Sequence, residues 1–188
     1  MAKSKQINWE SGFYQSTESC IIQYSGQEIV INSRITGRHD TIDYTAAYTI
    51  RTTPEWKTTA FEIRYTLNAA PHHVEARHEN GQWIVNGVVR EEFNNCIDID
   101  ITVTPFTNAL PINRIDLQLN KPQQIEVLYV NVLENSIYPV RQQYTKKSGT
   151  RYNFQNVPND FEADIIVDSE GFVVHYPELF ERASTGSP

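Results

Sequence analysis

The stretch Phe61-Glu-Ile-Arg-Tyr-Thr-Leu67 alternates apolar and polar residues along its whole length. Successive side chains of a β-strand point to opposite faces, so this alternation predicts a strand with one face buried and the other in solvent. The same alternation recurs at Ile97–Val103 and Phe161–Val167. Further strands are predicted at Glu28–Arg34, Asp43–Arg51, Val74–Arg77, Ile115–Leu119, Ile125–Val132, Val140–Tyr144 and Phe172–His175. The sequence therefore predicts a mainly β protein.

Short turn signals separate these strands. Asn80-Gly81 stands between the strand-like stretches His73–Glu79 and Gln82–Val85. This pair of residues predicts a β-hairpin, because both tolerate the positive φ angles of a tight turn. Asn86-Gly87 is a similar signal. Since hairpins join antiparallel neighbours, we expect mostly antiparallel pairing.

Composition and length predict one globular domain. The chain has 188 residues, of which 39% are hydrophobic and 21% are charged, unlike the composition of disordered chains. We expect residues 1–182 to form a single domain. Residues 183–188 are small and polar, so we expect a flexible C-terminal tail there.

The charge balance bears on partners and location. A net charge of −7, with no run of Lys and Arg, argues against a nucleic-acid partner. No apolar stretch is long enough for a transmembrane segment, and the first residues lack the apolar core of an export signal. We therefore expect a cytoplasmic protein in which Cys20 and Cys96 are free thiols.

Two acids on one predicted strand are the first candidates for chemistry. Asp98 and Asp100 lie two positions apart, so both carboxylates point to the same face. Such a pair can bind a cation, accept hydrogen bonds from sugar hydroxyls or act as acid and base. The alternative is a polar stripe exposed to solvent, which is common on alternating strands.

Other recognisable sites are missing from the sequence. His72 and His73 are adjacent on a predicted strand and point to opposite faces, so we expect no histidine metal site. The chain has no serine-nucleophile elbow, phosphate loop or dinucleotide fingerprint. No cofactor is therefore expected.

The stretch Thr104-Pro-Phe-Thr-Asn-Ala-Leu-Pro111 does not fit a strand. Threonine caps helices and proline suits the first helical position, so we predict a short helix over Thr104–Leu110. Phe106 and Leu110 would then share one apolar face. Pro111 should end this helix, because the residue before a proline is biased out of the α region. A plain loop is the alternative.

Four stretches, in this order and spacing, resemble the bacterial glycolipid-binding family. They are Cys96–Asp100, Thr104–Ile112, Gln143–Thr145 and Asp168–Arg182. The second is long and unusual enough to be specific. The resemblance covers nearly the whole chain, with a looser N-terminal part carried by Trp9, Glu18, Tyr44, Tyr48 and Trp56.

The resemblance implies a spiral β-roll, an antiparallel sheet of many strands wrapped around a single short helix. It places Asp98 and Asp100 against that helix, where buried carboxylates need partners, and Arg114 is the expected partner. The family often carries a second arginine just before Arg114, where this chain has Asn113. Since dimers occur in the family, a homodimer is also implied.

The resemblance further implies a non-enzymatic protein that binds an amphiphilic ligand, a glycolipid, inside or beside the roll. The expected ligand-binding residues are Asp98, Asp100, Thr107, Asn108, Arg114, Tyr144 and Tyr176. One alternative is an enzyme of lipid or carbohydrate metabolism that uses one of the two aspartates with a tyrosine as acid and base. Another is a purely structural dimeric protein whose motif residues only hold the helix.

Overall fold

The computed structural model describes residues 3–184, which form 15 strands, one α-helix and two short 3₁₀ segments. The strands of the first half are β1 (Lys3–Ser11), β2 (Ser16–Tyr24), β3 (Ile29–His39), β4 (Ile42–Thr52), β5 (Thr58–Leu67), β6 (Ala70–Glu79), β7 (Gln82–Val85) and β8 (Val88–Val89). Those of the second half are β9 (Cys96–Ile101), β10 (Pro122–Asn131), β11 (Ser136–Lys146), β12 (Arg151–Val157), β13 (Glu162–Val167), β14 (Val173–Tyr176) and β15 (Phe180–Arg182). The helix α1 is Ala109–Arg114, and the 3₁₀ segments are Glu91–Phe93 and Phe106–Asn108. Most of the predicted tail, residues 185–188, lies outside the described residues.

All 15 strands belong to one sheet, in the order β8-β7-β6-β5-β4-β3-β2-β1-β15-β14-β13-β12-β11-β10-β9. The two halves meet where β1 pairs with β15, with Trp9 opposite Arg182. Neighbouring strands run antiparallel except β9 and β10, which are parallel and joined through α1. A parallel pair needs such a crossover connection. The mainly β, antiparallel architecture predicted from the sequence is confirmed.

Buried tryptophans connect distant parts of the sheet. The indole Nε1 of Trp83, on β7, donates a hydrogen bond to the carbonyl oxygen of Cys96, on β9, at 2.9 Å. Strands β7 and β9 lie near opposite ends of the strand order, so the two ends of the sheet lie against each other. Trp9 donates in the same way to the carbonyl oxygen of Val173 at 2.8 Å. The sheet is thus rolled up without being closed into a barrel.

The tight hairpins are confirmed. Asn80 and Gly81, between β6 and β7, have φ angles of +51° and +83°. Asn86 and Gly87, between β7 and β8, have φ angles of +48° and +80°. Positive φ at both central positions gives a turn whose twist matches that of the strands it joins.

The strand predicted at Ile115–Leu119 is wrong. These residues follow α1 as an irregular segment with a single bridge, from Leu119 to Lys146. Leu117 is buried and Ile115 packs against the core. Their apolar character therefore reflects packing of a connection onto the core, which sequence pattern alone does not distinguish from a strand.

The helical segment is present, but its bounds differ from the prediction of Thr104–Leu110. It begins with the 3₁₀ turn Phe106–Asn108 and continues as α1 to Arg114. Pro111 lies inside α1 and does not end it. Its missing N–H falls in the first turn, where backbone amides have no partner within the helix. No helix in the described range is long and apolar enough to cross a membrane.

The sheet covers this segment on the sides that carry apolar residues. Phe106 and Leu110 are both buried, as predicted. The ring of Phe106 packs between Tyr48 of the first half and Phe172 of the second, with centroids 6.4 and 6.2 Å away. The Thr104 hydroxyl accepts the backbone N–H of Phe106 at 3.1 Å, but the N-cap residue of the segment is Pro105, so Thr104 acts from one position further upstream than predicted.

Cys20 and Cys96 are free and buried, which confirms the prediction of unpaired thiols. Burial raises the pKa of both, that of Cys96 to about 12. The thiols are therefore protonated near neutral pH and pack as small apolar side chains.

Candidate ligand-binding cleft

A cleft of about 890 Å³ lies beside the helical segment, against strands of the second half of the sheet and the loop after β1. This volume falls within the range of about 300–1,000 Å³ typical of small-molecule sites. Its walls are rich in aromatic side chains, including Tyr14, Tyr129, Phe154, Phe161, Tyr176 and Phe180. Its polar lining includes Asp100, Thr104, Asn108 and Gln142.

Asp100 is the charged group held most firmly in the cleft. Strand β9 directs its side chain towards the helical segment, where Thr107 Oγ1 donates to Oδ1 at 2.8 Å. Gln142 Nε2, from β11, donates to Oδ2 at 2.6 Å. Burial raises the pKa of Asp100, and these two hydrogen bonds act in the opposite direction. Because a donor faces each oxygen, the carboxylate is fixed in one orientation.

Asn108 lines the cleft and is held from behind. Its Oδ1 accepts a hydrogen bond from the hydroxyl of Tyr144 at 2.9 Å, and its Nδ2 donates to the carbonyl oxygen of Pro105 at 3.2 Å. Tyr144 is buried and does not line the cleft. The structure therefore places Tyr144 as a support for Asn108.

Tyr14, Tyr129 and Tyr176 line the cleft together with Asp100. Burial, followed by the charge of Asp100, raises the pKa of Tyr129 to about 12 and that of Tyr176 well above its ordinary value. Burial is also the main cause that raises the pKa of Tyr14, followed by Tyr129 and then Asp100. All three hydroxyls are therefore protonated at neutral pH. Within residues 3–184, the hydroxyls of Tyr14 and Tyr176 form no hydrogen bond with another protein group.

Asp98 forms a separate ion pair. Arg114 Nε donates to its Oδ1 at 3.0 Å and Arg114 Nη2 to its Oδ2 at 2.6 Å. The Asp98 side chain is 0% exposed, so its predicted burial and its predicted partner are both confirmed. The expectation that Arg114 also pairs with Asp100 is wrong, since Thr107 and Gln142 occupy that carboxylate. Neither Asp98 nor Arg114 lines the cleft.

The predicted site residues thus fall into three groups. Asp100, Asn108 and Tyr176 line the cleft, and Thr107 and Tyr144 hold the first two of these in place. Asp98 and Arg114 form a pair elsewhere and attach the end of α1 to β9. The geometry therefore brings together only part of the predicted set.

Glu18 is a buried acid that the sequence analysis used only for the family resemblance. Its Oε1 accepts hydrogen bonds from three hydroxyls, those of Ser33 at 2.7 Å, Tyr48 at 2.7 Å and Thr104 at 2.9 Å. Its Oε2 is buried and has no hydrogen-bond partner in the described range. The alternation along β2 could have indicated that Glu18 is buried, because Glu18 lies on the same face of the strand as Cys20.

The environment of Glu18 changes its acidity. Burial raises its pKa from 4.5 to about 7, although the three hydroxyl hydrogen bonds act to lower it. Thr104 lines the cleft and Glu18 lies directly behind it. A titrating carboxyl of the first half of the sheet thus contacts the helical segment.

We expect Glu18→Gln to reduce the pH dependence of stability. A carboxyl whose folded pKa is raised stabilises the fold below pH 4.5, and this contribution is lost as the pH rises through about 7. The loss amounts to roughly 3 kcal/mol in the free energy of unfolding. Urea unfolding between pH 5 and 8 should show a smaller decline for Glu18→Gln than for the wild type. Glu10→Gln, at an exposed glutamate of β1, is the control, and equal slopes for all three proteins would contradict this prediction.

A second group of potential ligands lies on the outer face of β5 and β6. Single donor atoms of Glu62, His73 and Glu75 lie within 4.8 Å of one another. Glu62 already contacts the His73 ring, at 2.8 Å, and the Arg64 guanidinium. The group is largely exposed and the Glu62 carboxylate is already paired with neighbouring side chains, so it gives no independent argument for a metal centre.

The rolled, unclosed sheet around one short helical segment defines a spiral β-roll protein with an aromatic cleft beside the helix. The chain belongs to the family described as "Putative glycolipid-binding", whose model matches residues 6–182. It is similar to the crystal structure of a DUF1089 family protein from Pseudomonas aeruginosa, with 26% sequence identity and a TM-score of 0.79. The alignment covers 90% of this chain and 92% of that one. No curated protein matches the chain.

Proposed function

We propose that the protein binds an amphiphilic ligand, a glycolipid, in this cleft without changing it chemically. The observation that carries the proposal is the combination of aromatic walls with a carboxylate and tyrosine hydroxyls that converge in one cleft. Ligand sites are typically lined by apolar and aromatic side chains, with a few fixed polar groups that set orientation. The family membership supports the same class of ligand.

Each part of the cleft has a role in this proposal. The aromatic walls pack against the apolar chain of the ligand. Asp100 accepts hydrogen bonds from ligand hydroxyls, and Tyr176 donates to a ligand oxygen. Thr107 and Tyr144 act as positioning residues for Asp100 and Asn108. Asp98 and Arg114 hold the helix and do not contact the ligand.

The first test is native mass spectrometry of protein purified from its own host. We expect an adduct that extraction identifies as an amphiphile bearing a sugar. The same spectrum reports whether the protein is a homodimer, as the sequence predicts. Repeated preparation of protein free of any amphiphile, and failure of the empty protein to take one up, would contradict the proposal.

Tyr176→Phe tests the cleft directly. This substitution removes a hydroxyl that has no partner within the described chain but keeps the ring, so we expect stability to change by less than about 0.5 kcal/mol. Loss of one hydrogen bond to the ligand should weaken binding about tenfold. Tyr152→Phe, at another buried tyrosine that does not line the cleft, is the matched control. Equal affinities of the two variants, measured by calorimetry with the extracted ligand, would place the ligand elsewhere.

The geometry of the site limits which residues could act as acid and base in the enzymatic alternative. Asp98 is held by two nitrogens of Arg114, so Asp98 and Asp100 are not available as a free acid–base pair. Of the aspartates and tyrosines predicted as site residues, only Asp100 and Tyr176 line the cleft. A mass change in the extracted ligand after incubation with the protein would favour catalysis by these two groups over simple binding.

The homodimer and the cytoplasmic location stay predictions. One feature supports self-association, since β8 is an edge strand whose Val88 and Val89 are 60% and 47% exposed. Unpaired edges with apolar side chains favour pairing with another chain. Replacement of Val88 by Lys should then shift the native mass from dimer to monomer.

A further inference from the structure

The charged residues that line the cleft are mostly acidic. They are Glu92, Asp100, Glu126, Asp160 and, as the single base among the lining residues, Arg141. Arg141 and Asp160 are exposed, whereas Asp100 is partly buried and held by two hydrogen bonds. The fixed charge that a bound ligand meets is therefore negative.

Arg114, the arginine that was expected to pair with Asp100, is directed away from the cleft. Both donor nitrogens of Arg114 that form hydrogen bonds contact Asp98. The preceding residue is Asn113, whose Nδ2 donates to the carbonyl oxygen of Ala109 at 3.0 Å. No Lys, Arg or His side chain in residues 3–184 contacts Asp100.

The hydrogen-bonding capacity of the cleft is balanced between donors and acceptors. A carboxylate has about four lone-pair positions, and Thr107 and Gln142 use two of those on Asp100. The free hydroxyls of Tyr14 and Tyr176 add donors in the same cleft. A sugar hydroxyl both donates and accepts, so it matches this set.

Charged head groups match the hydrogen-bonding groups of the cleft less well than a sugar hydroxyl does. Sulfate, phosphate and carboxylate groups only accept hydrogen bonds and are bound mainly by Arg, Lys or clustered backbone N–H groups. Next to Asp100 such a group meets a like charge in a partly desolvated site. An ammonium group offers donors only and provides no acceptor for the tyrosine hydroxyls.

We propose that the cleft selects amphiphiles whose polar part is an uncharged polyol and excludes those with an anionic head group. This inference rests on the proposed function and adds which head-group charge the cleft accepts. Asp100 is the specificity-determining residue, and it acts both as an acceptor for hydroxyls and as a fixed negative charge.

Three probes with the same alkyl chain separate the outcomes: octyl glucoside, octyl sulfate and octylammonium, each titrated calorimetrically into the full-length protein below its micelle concentration. We expect octyl glucoside to bind at least about tenfold more tightly than either charged probe, which is the effect of one unfavourable polar contact. Asp100→Asn should weaken glucoside binding and strengthen sulfate binding, so that the ratio of the two affinities falls about fivefold or more. Asp43→Asn removes the same charge from an exposed side chain outside the cleft and should leave the ratio unchanged.

The outcomes distinguish this inference from the function on which it rests. If a charged probe binds as tightly as octyl glucoside, the selectivity is overturned while amphiphile binding stands. If Asp100→Asn and Asp43→Asn shift the ratio equally, net charge and not the cleft sets the preference, which also overturns the inference. If no probe binds the wild type, both proposals fail. The comparison on the wild type alone decides the selectivity even if Asp100→Asn does not fold.

Discussion

Replacing Arg114 with Met is expected to lower the free energy of unfolding by about 3–5 kcal/mol. The Asp98 carboxylate is 0% exposed, and both of its hydrogen-bonded oxygens depend on the Arg114 guanidinium. Met keeps much of the apolar stem but removes the charge and both donors. The substitution therefore leaves a buried carboxylate without a partner, and chemical denaturation at pH 7 measures the loss.

The double variant Asp98→Leu/Arg114→Met provides the control. Replacing a buried ion pair by apolar residues of similar volume is often neutral or stabilising, so we expect much of the lost stability to return. Burial raises the pKa of Asp98 even beside Arg114. Without the guanidinium, the folded state should take up a proton more readily, and the deficit of Arg114→Met should shrink as the pH falls towards 5. A deficit that the double variant does not relieve would contradict the ion-pair explanation.

Phe106→Ala is expected to cost about 3–5 kcal/mol, the range for removing a phenylalanine from a packed core. Phe106 is 1% exposed and contacts aromatic rings from both halves of the sheet, Tyr48 and Phe172. The resulting cavity would lie where the halves meet, so neighbouring strands have little freedom to fill it.

The matched control for this substitution is Phe13→Ala. Phe13 is 52% exposed, so the same chemical change there should alter stability by less than about 1 kcal/mol. Thermal or urea unfolding compares the two variants directly. Equal losses would mean that the ring of Phe106 is not part of the core that joins the halves.

Local patterns were sufficient to predict much of the fold. The alternation in Phe61–Leu67 identified the inner face of β5, because burial on one face imposes a period of two on the sequence. Asn80-Gly81 identified a hairpin, because few other residues accept its backbone angles. The pair Asp98 and Arg114 did not come from a local pattern: the family resemblance placed Asp98 against the helix, where a lone buried charge is costly.

Contacts between residues far apart in the sequence could not be predicted from such local patterns. Asp100 receives a hydrogen bond from Gln142, which is 42 positions away, and Glu18 receives one from Thr104 across 86 positions. A periodic pattern shows which face of a strand is buried but does not show which residues from other strands meet there. The cleft is formed by residues that are far apart in the sequence, so its lining residues could be predicted only in part.

The pairing of β1 with β15 has a consequence for the order of events during synthesis of the chain. Trp9 is synthesised well before its partner Arg182, which belongs to the last strand of the described range. One edge of β1 therefore remains without its partner strand while the rest of the sheet is made. An unpaired edge is prone to association with other chains. A nascent chain that stalls before residue 180 would keep that edge open, whereas a chain extended through β15 covers it.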